Sequence, residues 1–273
     1  MNNPHLTNRF SRLFGRFADT EFPAPIQNII NTLYVKLMGL DMGEFAAPST
    51  YPSLNKLFTR TLARPRPFDK DESILISPCD AMITAAGKLE GNIGLQIKGM
   101  HYSVDGLLEG IDEKDILALH HGEYINFYLS PRDYHRYHAP LDMTIEKAVH
   151  IPGKLYPVNT RYLNKQDNLF IENERVVLQC TDKHLRRFYL VFVGALNVGR
   201  IILDHFPGLA TNASLEMQTY ESGDIPVTKG DELGRFEMGS TIVALFPEKM
   251  IAQELGVGEH VRFAHTIGEV RAV

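Results

Sequence analysis

From residue 74 onward the chain is a succession of short apolar segments cut by glycine and proline. EYINFYL (123–129), MTIEKAVHI (143–151), RVVLQC (175–180), RFYLVFVGAL (187–196) and TIVALF (241–246) are rich in β-branched and aromatic residues, which pack well on a pleated surface. Turn signals such as Lys229-Gly230-Asp231 separate several of them. Many short strands after a helical start predict an α+β protein: N-terminal amphipathic helices, then a mainly antiparallel β core.

The first 65 or so residues have the other periodicity. In RFSRLFGRFA, Phe10, Leu13, Phe14 and Phe17 recur at the three-and-four spacing of one helix face, with Arg9, Arg12 and Arg16 on the face beside it. That pattern fits a helix lying in a bilayer interface, and equally a surface helix packed on its own core. After Pro23 and Pro25, Ile26, Ile30, Leu33 and Leu37 form a second stripe, broadened by Ile29 and Met38 and stopped by Gly39. A short third helix is expected from Ser53, carrying Leu54, Leu57 and Phe58. The proline-rich RPRPFDKDE divides this helical region, 1–65, from a β-rich region, 66–273.

Composition narrows the functional classes. A formal charge of −5 lacks the basic excess of a nucleic-acid binder. Two cysteines, Cys79 and Cys180, are too few for a disulfide framework and lack metal-type spacing, so a reducing compartment is expected. No apolar run reaches the length of a transmembrane helix, which leaves a water-soluble or peripheral protein. GKLEG and VGALNVG match neither common phosphate-binding loop.

Three segments carry groups that can do chemistry. YLSPRDYHRYHAP (128–140) places His135 and His138 three apart, so one helical turn would send both imidazoles the same way. His120 and His121 lie nearby, yet no carboxylate or cysteine stands at a zinc spacing, so no metal is expected. RFEMGSTIVALF (235–246) sets Gly239, Ser240 and Thr241 between two strands. This is an ordinary turn, or a place where glycine permits a serine hydroxyl to attack the carbonyl before it. ISPCDAMITAAG (76–87) presents Asp80 at a turn, as a local cap or as the carboxylate orienting a histidine beside a serine.

Taken in series, ISPCDAMI, QIKGMHYSVDGLL, YLSPRDYHRYHAP, GKLYPVN, VGALNVGRI and KGDELGRFEMGSTIVALF resemble phosphatidylserine decarboxylase, a pyruvoyl-dependent, self-cleaving proenzyme family. The resemblance runs from residue 74 to 247. Two departures stand out: Ala81 where the family has glycine, and Met238 where it has leucine. Met for Leu conserves volume, whereas alanine is harmless unless the position needs positive φ.

The resemblance implies cleavage between Gly239 and Ser240, giving a large chain 1–239 and a small chain 240–273. It assigns His138 as the base that takes the Ser240 proton, and Asp80 as the carboxylate that stabilises the imidazolium. Ester formation, β-elimination and hydrolysis then convert Ser240 into a pyruvoyl group, the electron sink for losing CO2 from phosphatidylserine. His135 belongs to the decarboxylation stage, and Tyr128 is a weaker candidate for shaping the pocket. A homodimer is also implied. Because each exposed lipid CH₂ costs about 0.8 kcal/mol, the enzyme must come to the bilayer. Phe10, Leu13, Phe14 and Phe17 beside the arginines then become contacts to an anionic phospholipid surface, expected at the cytoplasmic face of the cell membrane. The main alternative is a serine hydrolase using Asp80, His138 and Ser240 on a lipid ester. A non-catalytic membrane-binding module, or a pyruvoyl enzyme for another amino acid, would also contain these segments.

Overall fold

A computed structural model of the protein describes residues 6–89, 95–97, 100–156, 169–195, 200–209, 211, 216–237 and 240–272. Helix α1 (Leu6–Asp19) covers the first arginine–aromatic pattern, and α2 (Ala24–Met38) the second stripe. Gly39 ends α2 in the left-handed conformation, φ 67°, which glycine adopts without steric cost. Helix α3 (Leu54–Phe58) starts where Ser53 Oγ accepts a hydrogen bond from the Lys56 amide.

Helix α2 is oriented contrary to a soluble amphipathic helix. Its buried residues are Gln27 and Asn31, whereas Ile26, Ile29, Leu33, Leu37 and Met38 are exposed. Asn31 makes the inward face possible. Its Nδ2 donates to the carbonyls of Pro48 and Tyr51, both at 2.9 Å, and its Oδ1 accepts from Gln27 Nε2 at 2.8 Å. Ile30, Tyr34 and Val35 flank this polar seam and pack with Phe14 around Ala18, Leu54 and Leu57.

The strands are β1 (Ile74–Ile76), β2 (Ala81–Lys88), β3 (Leu95–Ile97), β4 (Met100–Tyr102), β5 (Glu123–Leu129), β6 (Arg136–His138), β7 (Met143–Ile151) and β8 (Arg175–Thr181). They continue as β9 (Arg187–Val193), β10 (Arg200–Leu203), β11 (Gln218–Val227), β12 (Glu232–Glu237), β13 (Ser240–Phe246), β14 (Ile251–Ala252), β15 (His260–Val261) and β16 (Thr266–Val270). The five segments singled out by composition are β5, β7, β8, β9 and β13. They are joined in one antiparallel sheet of order β11-β7-β8-β9-β13-β5-β2-β15.

β8 and β13 are buried at every position because this sheet is covered on both faces. On one side Ile242, Ala244 and Phe246 join a core that includes Tyr137 of β6 and Phe236 of β12, from the small sheet β10-β12-β6. On the other, Val243 and Leu245 pack with Val104, Leu107, Ile116 and Phe170 from short helices at Val104–Leu107, Glu113–Leu117 and Leu169–Glu172. Cys79 and Cys180 are free and buried.

The antiparallel register collects one end of every central strand. Ser240 lies opposite Leu129, Thr241 opposite Val193, Val193 opposite Arg175, Arg175 opposite Ile151, and Tyr128 opposite Met82. The start of β13, the start of β2 and the loop leaving β5 therefore share one end of the sheet.

Replacing Asn31 by alanine leaves two carbonyls under α2 without their donor, at about 1–3 kcal/mol. Asn31→Ala is expected to lower the urea midpoint accordingly, and an unchanged midpoint would mean that water replaces the amide.

Candidate active site

Strand alternation determines where Ser240 points. Residues 240, 242, 244 and 246 share one face of β13, so Ser240 faces the side covered by β6 and β12. The residue is fully buried, and among the described residues its Oγ has no hydrogen-bond partner. A buried hydroxyl without a partner costs free energy, so its presence calls for a reason beyond packing. Met238 and Gly239 lie outside the described residues. On their upstream side, the amide of Phe236 donates to the carbonyl of His135 at 2.9 Å. The chain thus passes from beside His135 to beside Leu129 while the loop 130–134 makes the same journey in reverse.

The histidine segment is extended rather than helical. β6 begins at Arg136, and Arg136, Tyr137 and His138 pair with Arg235, Gly234 and Glu232. The two imidazoles consequently occupy different surroundings, since an odd spacing on a strand alternates faces. His135 stacks on Phe58, ring centroids 3.9 Å apart, and His138 stacks on Phe263 at 3.6 Å.

Hydrogen-bond partners assign the tautomers. A carbonyl can only accept, so His135 Nε2 donates to Ser130 O at 3.0 Å, and Nδ1 carries the free lone pair of the neutral ring. Nδ1 has no partner. His138 is the reverse case: Nδ1 donates to Gly230 O at 3.0 Å, and Nε2 accepts from the Tyr134 hydroxyl at 3.1 Å. Gly230 is required there. Its φ is +89°, and a Cβ would come within 2.5 Å of the Phe68 ring. Burial lowers the His138 pKa to about 4, against the opposing effect of its hydrogen bond to the Gly230 carbonyl. Burial, with the nearby positive Arg60, lowers that of His135 to about 3. Both rings are neutral at pH 7.

Asp80 is held by different partners from those expected. Arg66 grips both carboxylate oxygens, at 2.5 and 3.0 Å, and the Phe263 amide donates to Oδ1 at 2.7 Å. No described hydrogen bond joins Asp80 to His138; the link runs through Phe263, whose ring covers the imidazole. Arg66 also binds Glu44, which Arg262 contacts in turn. Ala81 opens β2 opposite Val261 and is not among the non-glycine residues with positive φ, so the alanine causes no strain beside Asp80.

Asp80, Arg66 and Tyr134 line a cleft of about 360 Å³ together with Arg60, Asp133 and Arg262. Tyr128 sits apart from Ser240: it lies opposite Thr241 and packs toward the other face of the sheet. It also borders a shallower groove of about 290 Å³ with Met38, Met82, Pro131 and His260. On α1, Leu13 and Phe17 are exposed and Phe14 is half-buried, while the Phe10 side chain lies outside the described residues. Among the described residues no three metal-type ligands cluster, and no helix is long and apolar enough to cross a membrane.

A family model described as phosphatidylserine decarboxylase matches residues 54–269. The chain belongs to the phosphatidylserine decarboxylase family. It is 47% identical over 269 residues to the phosphatidylserine decarboxylase proenzyme of Helicobacter pylori strain ATCC 700392 / 26695, covering 98% of both chains. The proenzyme of the same name from Campylobacter jejuni is 43% identical, over 95% of this chain and 97% of its own. That from Halorhodospira halophila is 36% identical, over 97% and 91%. The family match begins at Leu54 and so takes in α3, which the proline boundary near residue 65 assigned to the helical region.

Several residues that build the site escaped the sequence reading. Arg66 lies in RPRPFDKDE, which reads as a linker; its signal is an arginine held between two prolines. Phe263 sits in the C-terminal stretch beyond the family-like motifs, and Phe58 reads as core.

Both histidines have folded pKa values below their ordinary 6.5, so the unfolded chain takes up protons first as the pH falls. The stability that goes with these neutral rings is fully present above pH 6.5 and is lost progressively as the pH falls from 6.5 through 4 toward 3. The urea midpoint is expected to fall over that window, and less steeply in His135→Asn than in the parent. Parallel curves would mean that His135 is solvated.

Proposed function

We propose that the protein cleaves itself between Gly239 and Ser240 and, with the resulting pyruvoyl group, decarboxylates phosphatidylserine to phosphatidylethanolamine at a membrane surface. The observation that carries this reading is the Ser240 hydroxyl, fully buried and unpartnered at the head of a central strand. A serine that acts on an external ester must be reachable; one that acts once on its own backbone need not be. Burial therefore favours internal cleavage over a serine hydrolase. The relatives' description as proenzymes supports the same reading.

In the proposed maturation, Ser240 Oγ loses its proton and attacks the Gly239 carbonyl, and the peptide C–N bond breaks to leave an ester. β-Elimination and hydrolysis of the new terminus leave the pyruvoyl group and release ammonia. His138 is the base, neutral and with its basic Nε2 turned to Tyr134. A proton leaving Ser240 reaches it by way of the Tyr134 hydroxyl or after that hydroxyl has moved aside. Asp80 acts at one remove, anchoring the Phe263 amide under the ring that stacks on His138.

The residues at this position fit a pyruvoyl group: the strand head is buried, Ser240 pairs with Leu129 of β5, and β9 joins from Thr241 onward. When formed, that ketone supplies the electron sink that decarboxylation of an amino acid needs. His135 offers a bare, buried Nδ1 for handling the proton at the carbon that loses CO2. The two chains would stay together, because β13 of the small chain is paired with β5 and β9 of the large one.

The outward apolar face of α2 and the exposed Leu13 and Phe17 of α1 provide the contact to lipid. Ile29, Leu33 and Leu37 are 66%, 51% and 69% exposed, a ladder that water disfavours and an acyl layer accepts.

Intact-mass analysis of the purified protein is expected to show two chains, the smaller beginning with pyruvoyl at position 240. Active protein that is still one chain would overturn the proposal. Ser240→Ala is expected to remain uncut. His135→Ala is expected to mature yet lose decarboxylation, and failure to mature would mean that the histidine roles are exchanged. Replacing Ile29, Leu33 and Leu37 together by serine is expected to weaken binding to anionic liposomes about tenfold or more. Undiminished binding would remove α2 from the membrane face.

A further inference from the structure

The loop that aims His135 is held from outside the sheet. Ser130 closes it from within, its amide and hydroxyl both donating to Asp133 Oδ2 at 2.7 Å. The outer grip comes from the end of α3 and the two residues after it. The Phe58 ring lies against His135. The Thr59 carbonyl accepts from Arg136 Nε at 3.0 Å. Arg60 Nη2 donates to the carbonyls of Arg132 and Asp133 at 2.9 and 3.1 Å. Arg60 is 2% exposed, with its guanidinium over the Phe45 ring at 4.5 Å. A long cation confined to this degree has lost nearly all its rotamer freedom and much of its hydration, a cost disproportionate to tying down two loop carbonyls for stability alone.

We propose that Arg60 is a positioning residue for decarboxylation: through the Arg132 and Asp133 carbonyls it fixes the loop that presents His135 to the reacting group. The proposal rests on the role given to His135 above. Arg60 touches no reacting atom and acts through the two backbone carbonyls that precede Tyr134. A lysine in its place keeps the charge, but its tetrahedral ammonium ends one atom nearer the backbone than Nη2 and has no planar group to lie on Phe45, so it does not present two in-plane N–H donors to the two carbonyls. The helical region that offers an apolar face to lipid on α2 thereby also holds a histidine of the site through α3.

The test compares Arg60→Lys with the parent in two ways. In the matured protein, kcat for phosphatidylserine in detergent micelles is expected to fall about 10–100-fold while KM stays within about twofold, the mark of misplacement rather than lost binding. A kcat within about twofold of the parent, or a rise in KM at constant kcat, would overturn the proposal. The second measurement does not depend on cleavage or activity. In the uncut Ser240→Ala protein, imidazole nitrogen-15 shifts are expected to report His135 with Nε2 protonated and Nδ1 bare. Adding Arg60→Lys should move the His135 signals and leave those of His138 in place. Unmoved His135 signals would overturn the positioning role even if the pyruvoyl reading stands, and moved signals would uphold it even if that reading fails. Should Arg60→Lys not fold, Arg60→Gln, which also withdraws the Nη2 donors from the two carbonyls, is read by the same signals, with the same result overturning the proposal.

Discussion

The pairing of β13 with β5 on one side and β9 on the other determines what Ser240 can be. A residue at the head of a strand paired on both edges and covered on both faces is dry, rigid and fixed in direction. Its side chain falls on the face of Ile242 because strands alternate, and that face is the one the β10-β12-β6 layer covers. A slip of one residue in this register would turn Ser240 toward the short helices and away from the β10-β12-β6 layer. The seven buried positions of β13 oppose such a slip, since their alternate side chains are sized for two different cores.

The N-terminal region faces two ways, and its polarity is arranged accordingly. Gln27 and Asn31 point inward and satisfy the backbone of the following turn, while the isoleucines and leucines of α2 point outward. Further along, Glu44 and Arg66 form an ionic path to Asp80, and Phe58, Thr59 and Arg60 grip the histidine loop. The helical region is thus joined to the β core by buried polar contacts at the site itself rather than by a flexible tether.

Much of this was legible in the chain. The apolar segments became β5, β7, β8, β9 and β13 because their residues suit a pleated, doubly covered surface and turn residues bound them. Gly39 and Ser53 marked helix ends through local backbone chemistry. The histidine pair was different. Spacing by three is meaningful on a helix, but here β6 pairs with β12, and that long-range pairing overrides any local preference for a helical turn. The partner of Asp80 was illegible for a related reason. Arg66 lies close to Asp80 in sequence, yet the contact depends on how the proline-rich segment folds over the start of β2.

By itself the sequence determined the class of fold and the chemistry on offer, a hydroxyl after glycine, two histidines and an aspartate, since these follow from residue type and short-range order. The tertiary structure decided which nitrogen of each histidine is basic, which partners hold Asp80, and that α2 turns its apolar side outward. Those properties depend on carbonyls, rings and guanidinium groups brought from distant parts of the chain, and the burial that shifts the histidines is a property of the packed whole.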